Sequence, residues 1–219
     1  DPQSDIFRFA HVMASGSSFA AFPATLTRQH EPGTFNRYNS TDTIVLGMLL
    51  ERVTGTTLAQ YMQERLWGPI GATKDAYWLT DDHGMAFASG GLNATARDFA
   101  RIGELYRKGG RWGRRQVIPK AWIKASLTPD APHLMRGMRA NSDSSMGYGY
   151  QWWTYDDGSY TARGIFGQGI FIDPKRKLVI VSNANWAGGA RDKAATAARD
   201  AFYQEVQKAI DDEGAAPSK

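Results

Sequence analysis

Three short apolar runs near the end of the chain constrain the fold more than any other feature. Strand-like residues occupy 160–164, 169–172 and 178–182, and turn-forming residues bound them at 156–158 and 173–174. Runs so close in sequence predict neighbouring antiparallel strands joined by hairpins. The alanine-rich segment 187–210 predicts a final helix over one face of this sheet. The other face and one edge are expected to require more chain.

The first 130 residues show helical spacing instead. The apolar residues Val45, Leu46, Leu49, Leu50 and Val53 recur at the period of a helix that Gly55 ends. The sequence therefore predicts an α+β protein with a mainly helical region over residues 1–130. Antiparallel strands and a C-terminal helix follow over 131–210, and a mobile polar tail over 211–219. We expect this fold to be incomplete without a segment upstream of Asp1.

The composition excludes several classes of protein. The 219 residues include no cysteine, which rules out disulfides, thiolate metal sites and a thiol nucleophile. The net charge of +4 comes from scattered basic residues, so a nucleic-acid surface is not expected. The four histidines are widely separated and no phosphate-binding glycine motif opens a helix, so we expect neither a metal nor another cofactor. No apolar run approaches the roughly 18 residues that a membrane span needs.

A first candidate site, Tyr38-Asn39-Ser40, lies just before the first strong helix. In an extended lead-in the side chains of residues i and i+2 point the same way, so the two hydroxyls can converge on one cavity. A phenol accepts a proton near neutral pH only where a neighbouring cation stabilises the phenolate. The pattern equally fits a capping serine beside a core tyrosine, and the spacing alone favours that structural interpretation.

A second candidate site is the glycine-rich segment 162–169, which lies between two predicted strands. Glycines in a strand allow a substrate to approach the backbone closely. An edge strand there also offers a free N–H to a developing oxyanion. The alternative is a glycine-bearing hairpin that binds nothing, and the segment alone favours that alternative.

Taken together, five segments resemble the penicillin-recognising serine hydrolases: residues 35–55, 66–71, 90–98, 149–153 and 162–174. This superfamily includes class C β-lactamases, D-alanyl-D-alanine peptidases, esterases and the 6-aminohexanoate-dimer hydrolases, and the last branch is the most similar. The resemblance implies a β-lactamase/transpeptidase-like fold, in which helices flank an antiparallel sheet.

The resemblance also implies catalytic roles. Tyr38 would be the general acid or base, and Ser40 its hydrogen-bonding partner. Ala162-Arg163-Gly164 matches the family's Lys-Thr-Gly strand, so the main-chain N–H of Ile165 would form half of the oxyanion hole.

The same strand and the turn after it would contact the substrate. The residues expected there are Ala162, Arg163, Gly164, Gly167 and Gln168.

Two departures from the family pattern matter. Ala162 replaces the lysine that holds the carboxylate of a β-lactam, which favours ester or amide substrates without that carboxylate, as in the nylon-oligomer branch. In addition, no lysine of the chain has a serine three residues before it, so the Ser-x-x-Lys motif is absent. We expect the nucleophile, its lysine and the second oxyanion donor in an upstream or companion segment.

The sequence therefore predicts the C-terminal part of a serine hydrolase that cleaves a small ester or amide through an acyl-enzyme. Its expected partner is an N-terminal fragment of the same enzyme. The alternatives are a non-catalytic binding module of the same fold, or a β-lactamase or D-alanyl-D-alanine peptidase. An enzyme in which Tyr38 or Ser40 is itself the nucleophile has no neighbouring base in the sequence.

Overall fold

A computed structural model describes residues 4–215, which divide into two compact units. The helical unit contains the residues up to Thr95 together with Asn141–Asp143. The sheet unit contains Ala96–Ala140 and the chain from Ser144 onward. The boundary thus lies at Thr95 and not at the predicted residue 130, because the helix that follows Thr95 packs on the sheet.

The helical unit is built around a small aromatic core. Its elements are α1 (Asp5–Ala14), α2 (Ser40–Thr54), α3 (Leu58–Met62) with a π-helical extension (Gln63–Trp67), and the antiparallel pair β1 (Tyr77–Trp78) and β2 (Leu92–Asn93). Phe9, Phe19, Phe22 and Ile44 form the buried cluster, and the rings of Phe9 and Phe22 lie 5.2 Å apart.

Helix α2 turns a different face to this core from the one that its apolar spacing suggests. The buried positions are Thr41, Ile44 and Gly47. A Cβ on Gly47 would lie 2.5 Å from the Cβ of Ala88, so the glycine permits a close approach on this side. By contrast, four apolar side chains are between 44 and 68% exposed: Val45, Leu46, Leu49 and Val53. These four residues, here called the α2 stripe, span about 100° of the helix circumference.

The sheet unit contains the five-stranded sheet. Its elements are α4 (Ala96–Arg107), the hairpin β3 (Arg111–Trp112) and β4 (Arg115–Gln116), α5 (Lys120–Ser126), β5 (Gly147–Tyr148), β6 (Trp153–Thr154), β7 (Tyr160–Arg163), β8 (Gly169–Asp173), β9 (Leu178–Ser182) and α6 (Lys193–Ala215). The sheet has the order β5-β6-β7-β8-β9, and all neighbours are antiparallel. The three predicted strands and their hairpins are therefore confirmed.

The final helix is displaced relative to its prediction. Helix α6 begins at Lys193, later than the predicted residue 187, because a short 3₁₀ turn occupies Gly189–Arg191. It continues through Ala215, into the segment predicted to be a mobile tail. The remainder of that predicted tail, 216–219, lies outside the described residues.

Helices cover the sheet on both faces. On one face α4 packs against β8 and β9, so closely that a Cβ on Gly103 would lie 2.6 Å from Cγ1 of Val179. On the other face the rings of Phe171 and Tyr203 stack at 4.4 Å and join β8 to α6. The expectation that the second face requires additional chain is therefore wrong for β8 and β9, which α4 covers. Within residues 4–215, β9 pairs with β8 alone and its outer edge has no strand partner.

Within the same range, no helix combines the length and apolarity that a membrane crossing requires. The described part of the chain also holds no cluster of three or more His, Asp or Glu side chains suited to a metal ion.

Candidate active site

The first candidate site opens helix α2 in the helical unit. Tyr38 is 57% exposed and precedes the helix by two residues. The N-cap is Asn39, whose Oδ1 accepts from the N–H of Thr41 at 3.0 Å and whose Nδ2 donates to Asp42 at 2.9 Å. Ser40 is the first helical residue and is half-buried. The capping alternative thus applies to Asn39, and the hydroxyl of Ser40 is not needed as a cap.

The backbone that leads to Tyr38 is fixed by a segment far away in sequence. The N–H of Asn36 donates to the carbonyl of Asn141 at 2.9 Å, and the N–H of Asp143 donates back to Asn36 at the same distance. The side chain of Asn141 also donates to the carbonyl of Thr34 at 3.1 Å. The last of these contacts joins residues that lie 107 positions apart. Local spacing therefore gave no signal for them.

The second candidate site begins on β7, where neighbouring residues face opposite sides of the sheet. Ala162 is half-buried against the cluster of Trp152, Tyr160 and Ile172. Arg163 points to the side of α6, where its guanidinium donates to Asp200 at 3.0 Å and also to the hydroxyl of Tyr155. This alternation follows from the period of two along a strand.

The hydrogen bonds of Arg163 connect two elements of the sheet unit. Burial raises the pKa of the Tyr155 phenol, and the charge of Arg163 opposes that rise. Arg163 ties the sheet to Asp200 of α6, and its contact with a substrate stays a prediction. If Ala162 takes the place of the family's lysine, as predicted, the guanidinium of Arg163 lies on the other face of the strand.

In residues 164–168, here called the β7–β8 turn, three main-chain N–H groups are paired, whereas those of Ile165 and Gln168 have no acceptor among the described residues. The N–H of Gly164 donates to the carbonyl of Gln168 at 2.8 Å, and that of Gly167 to the carbonyl of Gly164 at 3.3 Å. The N–H of Phe166 donates to the side-chain Oε1 of Gln168 at 3.0 Å. Ile165 is 60% exposed, and its N–H donates to no acceptor among the residues that the structure describes. An unpaired, accessible N–H is what an oxyanion requires.

The glycines of this turn make room for the chain's own side chains. A Cβ on Gly164 would lie 2.5 Å from Oε1 of Gln168. Gly167 has a φ of +88°, and its Cβ would lie 2.2 Å from Cε2 of Trp186. On the side where a Cβ would lie, these two glycines thus make room for Gln168 and the Trp186 indole. The contact of Gly164, Gly167 and Gln168 with a substrate stays a prediction.

A further segment, missed in the sequence, supports the turn from outside. The N–H of Trp186 donates to the carbonyl of Phe166 at 2.9 Å, and the hydroxyl of Ser182 donates to the carbonyl of Gly167 at 2.9 Å. No motif connects these residues to the turn, so only the folded chain reveals them. The β7–β8 turn is thus held from within by Gln168 and from outside by Ser182 and Trp186.

Comparison with known proteins agrees with this architecture. The β-lactamase family model matches residues 2–205, and the chain therefore belongs to the β-lactamase family, whose fold is that of β-lactamase-related serine hydrolases. The resemblance stated from the sequence motifs is confirmed at this level.

Two of the similar proteins are named as 6-aminohexanoate-dimer hydrolases. The 6-aminohexanoate-dimer hydrolase of Paenarthrobacter ureafaciens is 33% identical over 168 residues, which cover 75% of this chain and 43% of that protein. A Bacillus anthracis structure named as a 6-aminohexanoate-dimer hydrolase superposes with a TM-score of 0.77 and 28% identity, over 92% of this chain and 50% of that one. A penicillin-binding protein homologue from Caulobacter crescentus shares the fold, with a TM-score of 0.63 and 17% identity over 80% of this chain and 59% of its own.

The chain spans 43% of the first of these relatives and 50% of the second. Helices around an antiparallel sheet, the fold expected of the family, are confirmed. The roles of Tyr38, Ser40 and Ile165 in a reaction stay predictions.

Proposed function

We propose that this chain is the C-terminal part of a serine hydrolase that cleaves an ester or amide bond through an acyl-enzyme. The observation that carries the proposal is the unpaired N–H of Ile165, which follows the family strand and lies between the paired N–H groups of Gly164 and Phe166. The 33% identity to a 6-aminohexanoate-dimer hydrolase favours that branch of the family.

The proposed chemistry divides into two steps. A serine from the Ser-x-x-Lys segment attacks the substrate carbonyl, and its proton passes through the lysine and Tyr38 to the leaving alcohol or amine. The Ile165 N–H stabilises the negative oxygen of the tetrahedral intermediate. The C–O or C–N bond then breaks, which leaves the acyl-enzyme. In the second step water attacks the acyl-enzyme, and its proton passes through Tyr38 and the lysine to the serine oxygen as the acid leaves.

The nucleophile is proposed to come from an upstream or companion segment that carries Ser-x-x-Lys. Two surfaces support this part of the proposal. In the helical unit, the α2 stripe exposes four apolar side chains, and full burial would be worth up to about 1.5–3 kcal/mol for each Val or Leu. In the sheet unit, the outer edge of β9 has no strand partner within residues 4–215. Unpaired strand edges favour pairing with another segment.

The substrate class follows from Ala162. A methyl group in the place of the family's lysine cannot attract a substrate carboxylate. We therefore propose an ester or amide substrate that carries no carboxylate next to its scissile bond. A β-lactamase or D-alanyl-D-alanine peptidase activity is disfavoured for the same reason.

Intact-mass spectrometry before and after treatment with a fluorophosphonate probe tests the proposal. A second polypeptide that gains the probe mass would support a complete serine hydrolase. A single 24.2 kDa species without an adduct would contradict it. That result would favour the alternative, a non-catalytic binding module, which the absence of Ser-x-x-Lys from this chain also favours.

A matched pair of variants tests the role of the α2 stripe in holding the companion segment. Leu49 and Leu79 are both 55% exposed in the helical unit, but only Leu49 belongs to the stripe. We expect Leu49→Glu to weaken binding of the segment at least about tenfold, because a carboxylate cannot be buried unpaired. Leu79→Glu should leave binding unchanged. Equal effects of the two substitutions would contradict the assigned surface.

A further inference from the structure

We infer that Gln168 is a positioning residue, which holds the β7–β8 turn so that the N–H of Ile165 stays available to the oxyanion. This inference rests on the proposed function for its catalytic part. It differs from the sequence expectation, in which Gln168 contacts the substrate directly.

The side chain of Gln168 lies against the turn's own backbone. Its Oε1 accepts from the N–H of Phe166 at 3.0 Å, and it occupies the space in which a side chain on Gly164 would lie. The carbonyl of Gln168 accepts from Gly164 at 2.8 Å, so one residue closes the turn with both its main chain and its side chain.

The consequence concerns the N–H of Ile165. In a five-residue turn, adjacent N–H groups compete for the few acceptors within reach. Gln168 supplies one acceptor to Gly164 and one to Phe166, on either side of Ile165. Without the side-chain acceptor, the Phe166 N–H would have to find another partner, and the peptide planes beside Ile165 would rotate. Donors fixed before charge develops are the ones that stabilise an oxyanion effectively.

Two substitutions separate the acceptor from the bulk of the side chain. Gln168→Leu keeps a similar volume and removes the acceptor, whereas Gln168→Glu keeps an acceptor oxygen. Gln204→Leu, the same exchange on the exposed side of α6, is the matched control.

The first measurement is amide hydrogen exchange by NMR on this chain. We expect the Phe166 amide to exchange about two- to tenfold faster in Gln168→Leu, the net effect of losing one hydrogen bond. The Glu variant should retain the original rate, and the Gly164 amide, whose acceptor is main chain, should change in none of the variants. An unchanged Phe166 rate in Gln168→Leu would overturn the bracing contact.

The second measurement is the steady-state kinetics of the complete enzyme, this chain with its Ser-x-x-Lys segment. We expect Gln168→Leu to lower kcat by up to about 10²-fold, the cost of losing one oxyanion donor, with KM little changed. Gln168→Glu should keep the wild-type exchange rate of Phe166 but should still have a lower kcat than the wild type, because its negative charge lies beside a developing negative charge. A merely structural role predicts that Gln168→Glu has both the wild-type exchange rate and the wild-type kcat, and that result would overturn the positioning role.

The two measurements also distinguish the inference from the proposed function. If the wild-type protein has no hydrolase activity, the proposed function fails and the catalytic part of the inference fails with it. The exchange rates of Phe166 still decide whether Gln168 holds the turn.

Discussion

Replacing Gly167 with alanine probes how tightly the β7–β8 turn is packed. Gly167 has a φ of +88°, and an added Cβ would lie 2.2 Å from Cε2 of Trp186. A left-handed backbone costs an L-residue about 1–2 kcal/mol. Forcing a methyl group against a packed indole costs about 1–3 kcal/mol more. We therefore expect Gly167→Ala to lower the free energy of unfolding by about 2–5 kcal/mol.

A second glycine provides the control for backbone strain. Gly158 has a φ of +85°, but nothing lies within 4 Å of the position that an added Cβ would take. Gly158→Ala should therefore cost only the backbone contribution of about 1–2 kcal/mol. Urea unfolding followed by far-UV circular dichroism gives both values, provided that the slope with denaturant stays constant.

A double-mutant cycle isolates the indole contact. In a Trp186→Ala background the added methyl group meets no ring, so most of the extra cost of Gly167→Ala should disappear. If Gly167→Ala and Gly158→Ala destabilise the wild-type chain equally, the reasoning is refuted, since the indole then contributes no steric cost.

Three further predictions concern charged and catalytic groups. Burial would raise the pKa of Asp81, but hydrogen bonds from the main-chain N–H groups of Phe19, Met85 and His83 hold that pKa below its ordinary value. Asp81→Ala should therefore lower the free energy of unfolding, measured by urea titration, by about 3 kcal/mol. Asp82→Ala, at an exposed position, should change it little. A hydrogen bond from Arg107 lowers the pKa of Glu104 from 4.5 to about 2, so this carboxylate stabilises the fold above pH 4.5 and that contribution is lost as the pH falls toward 2. Partial exposure limits it to about 1–2 kcal/mol, and Glu104→Gln should abolish this part of the acid dependence, which unfolding curves between pH 5 and pH 2 would check. In the complete enzyme, Tyr38→Phe should lower kcat at least about tenfold, and an unchanged kcat would exclude Tyr38 as the proton-transfer group.

The sheet and its hairpins could be predicted because their signals are local. Three apolar runs define β7, β8 and β9 without reference to the rest of the chain, because an Asp-Gly turn precedes the first run and an Asp-Pro turn separates the last two. The face of α2 could not be predicted in this way. Its apolar residues cover more than one side of the helix, and the close approach of Gly47 to Ala88, in a distant loop, selects the side with Ile44.

The candidate site shows the same division. Two signals of the site are visible in the sequence because they match a family pattern: the spacing of Tyr38 and Ser40, and the position of Ile165 after its strand. The groups that hold them in position are not local: Asn141 binds the backbone before Tyr38, and Trp186 supports the turn of Ile165. At Gly164, a glycine that suggests space for a ligand in the sequence, the fold places the side chain of Gln168 where a Cβ would lie.

The two supports of the β7–β8 turn should have different consequences, and that difference bears on the function. Trp186 packs its ring on Gly167, so losing that contact should mainly change stability. Gln168 makes an exposed hydrogen bond, which is worth only about 0.5–1.5 kcal/mol to folding. If the turn exists to present the Ile165 N–H, the loss of the Gln168 acceptor should cost more in kcat than in stability, while Gly167→Ala should cost at least as much in stability as in kcat. If both variants instead lost rate and stability in the same ratio, the turn would respond as a single packed element, and the N–H of Ile165 would have no separate catalytic importance.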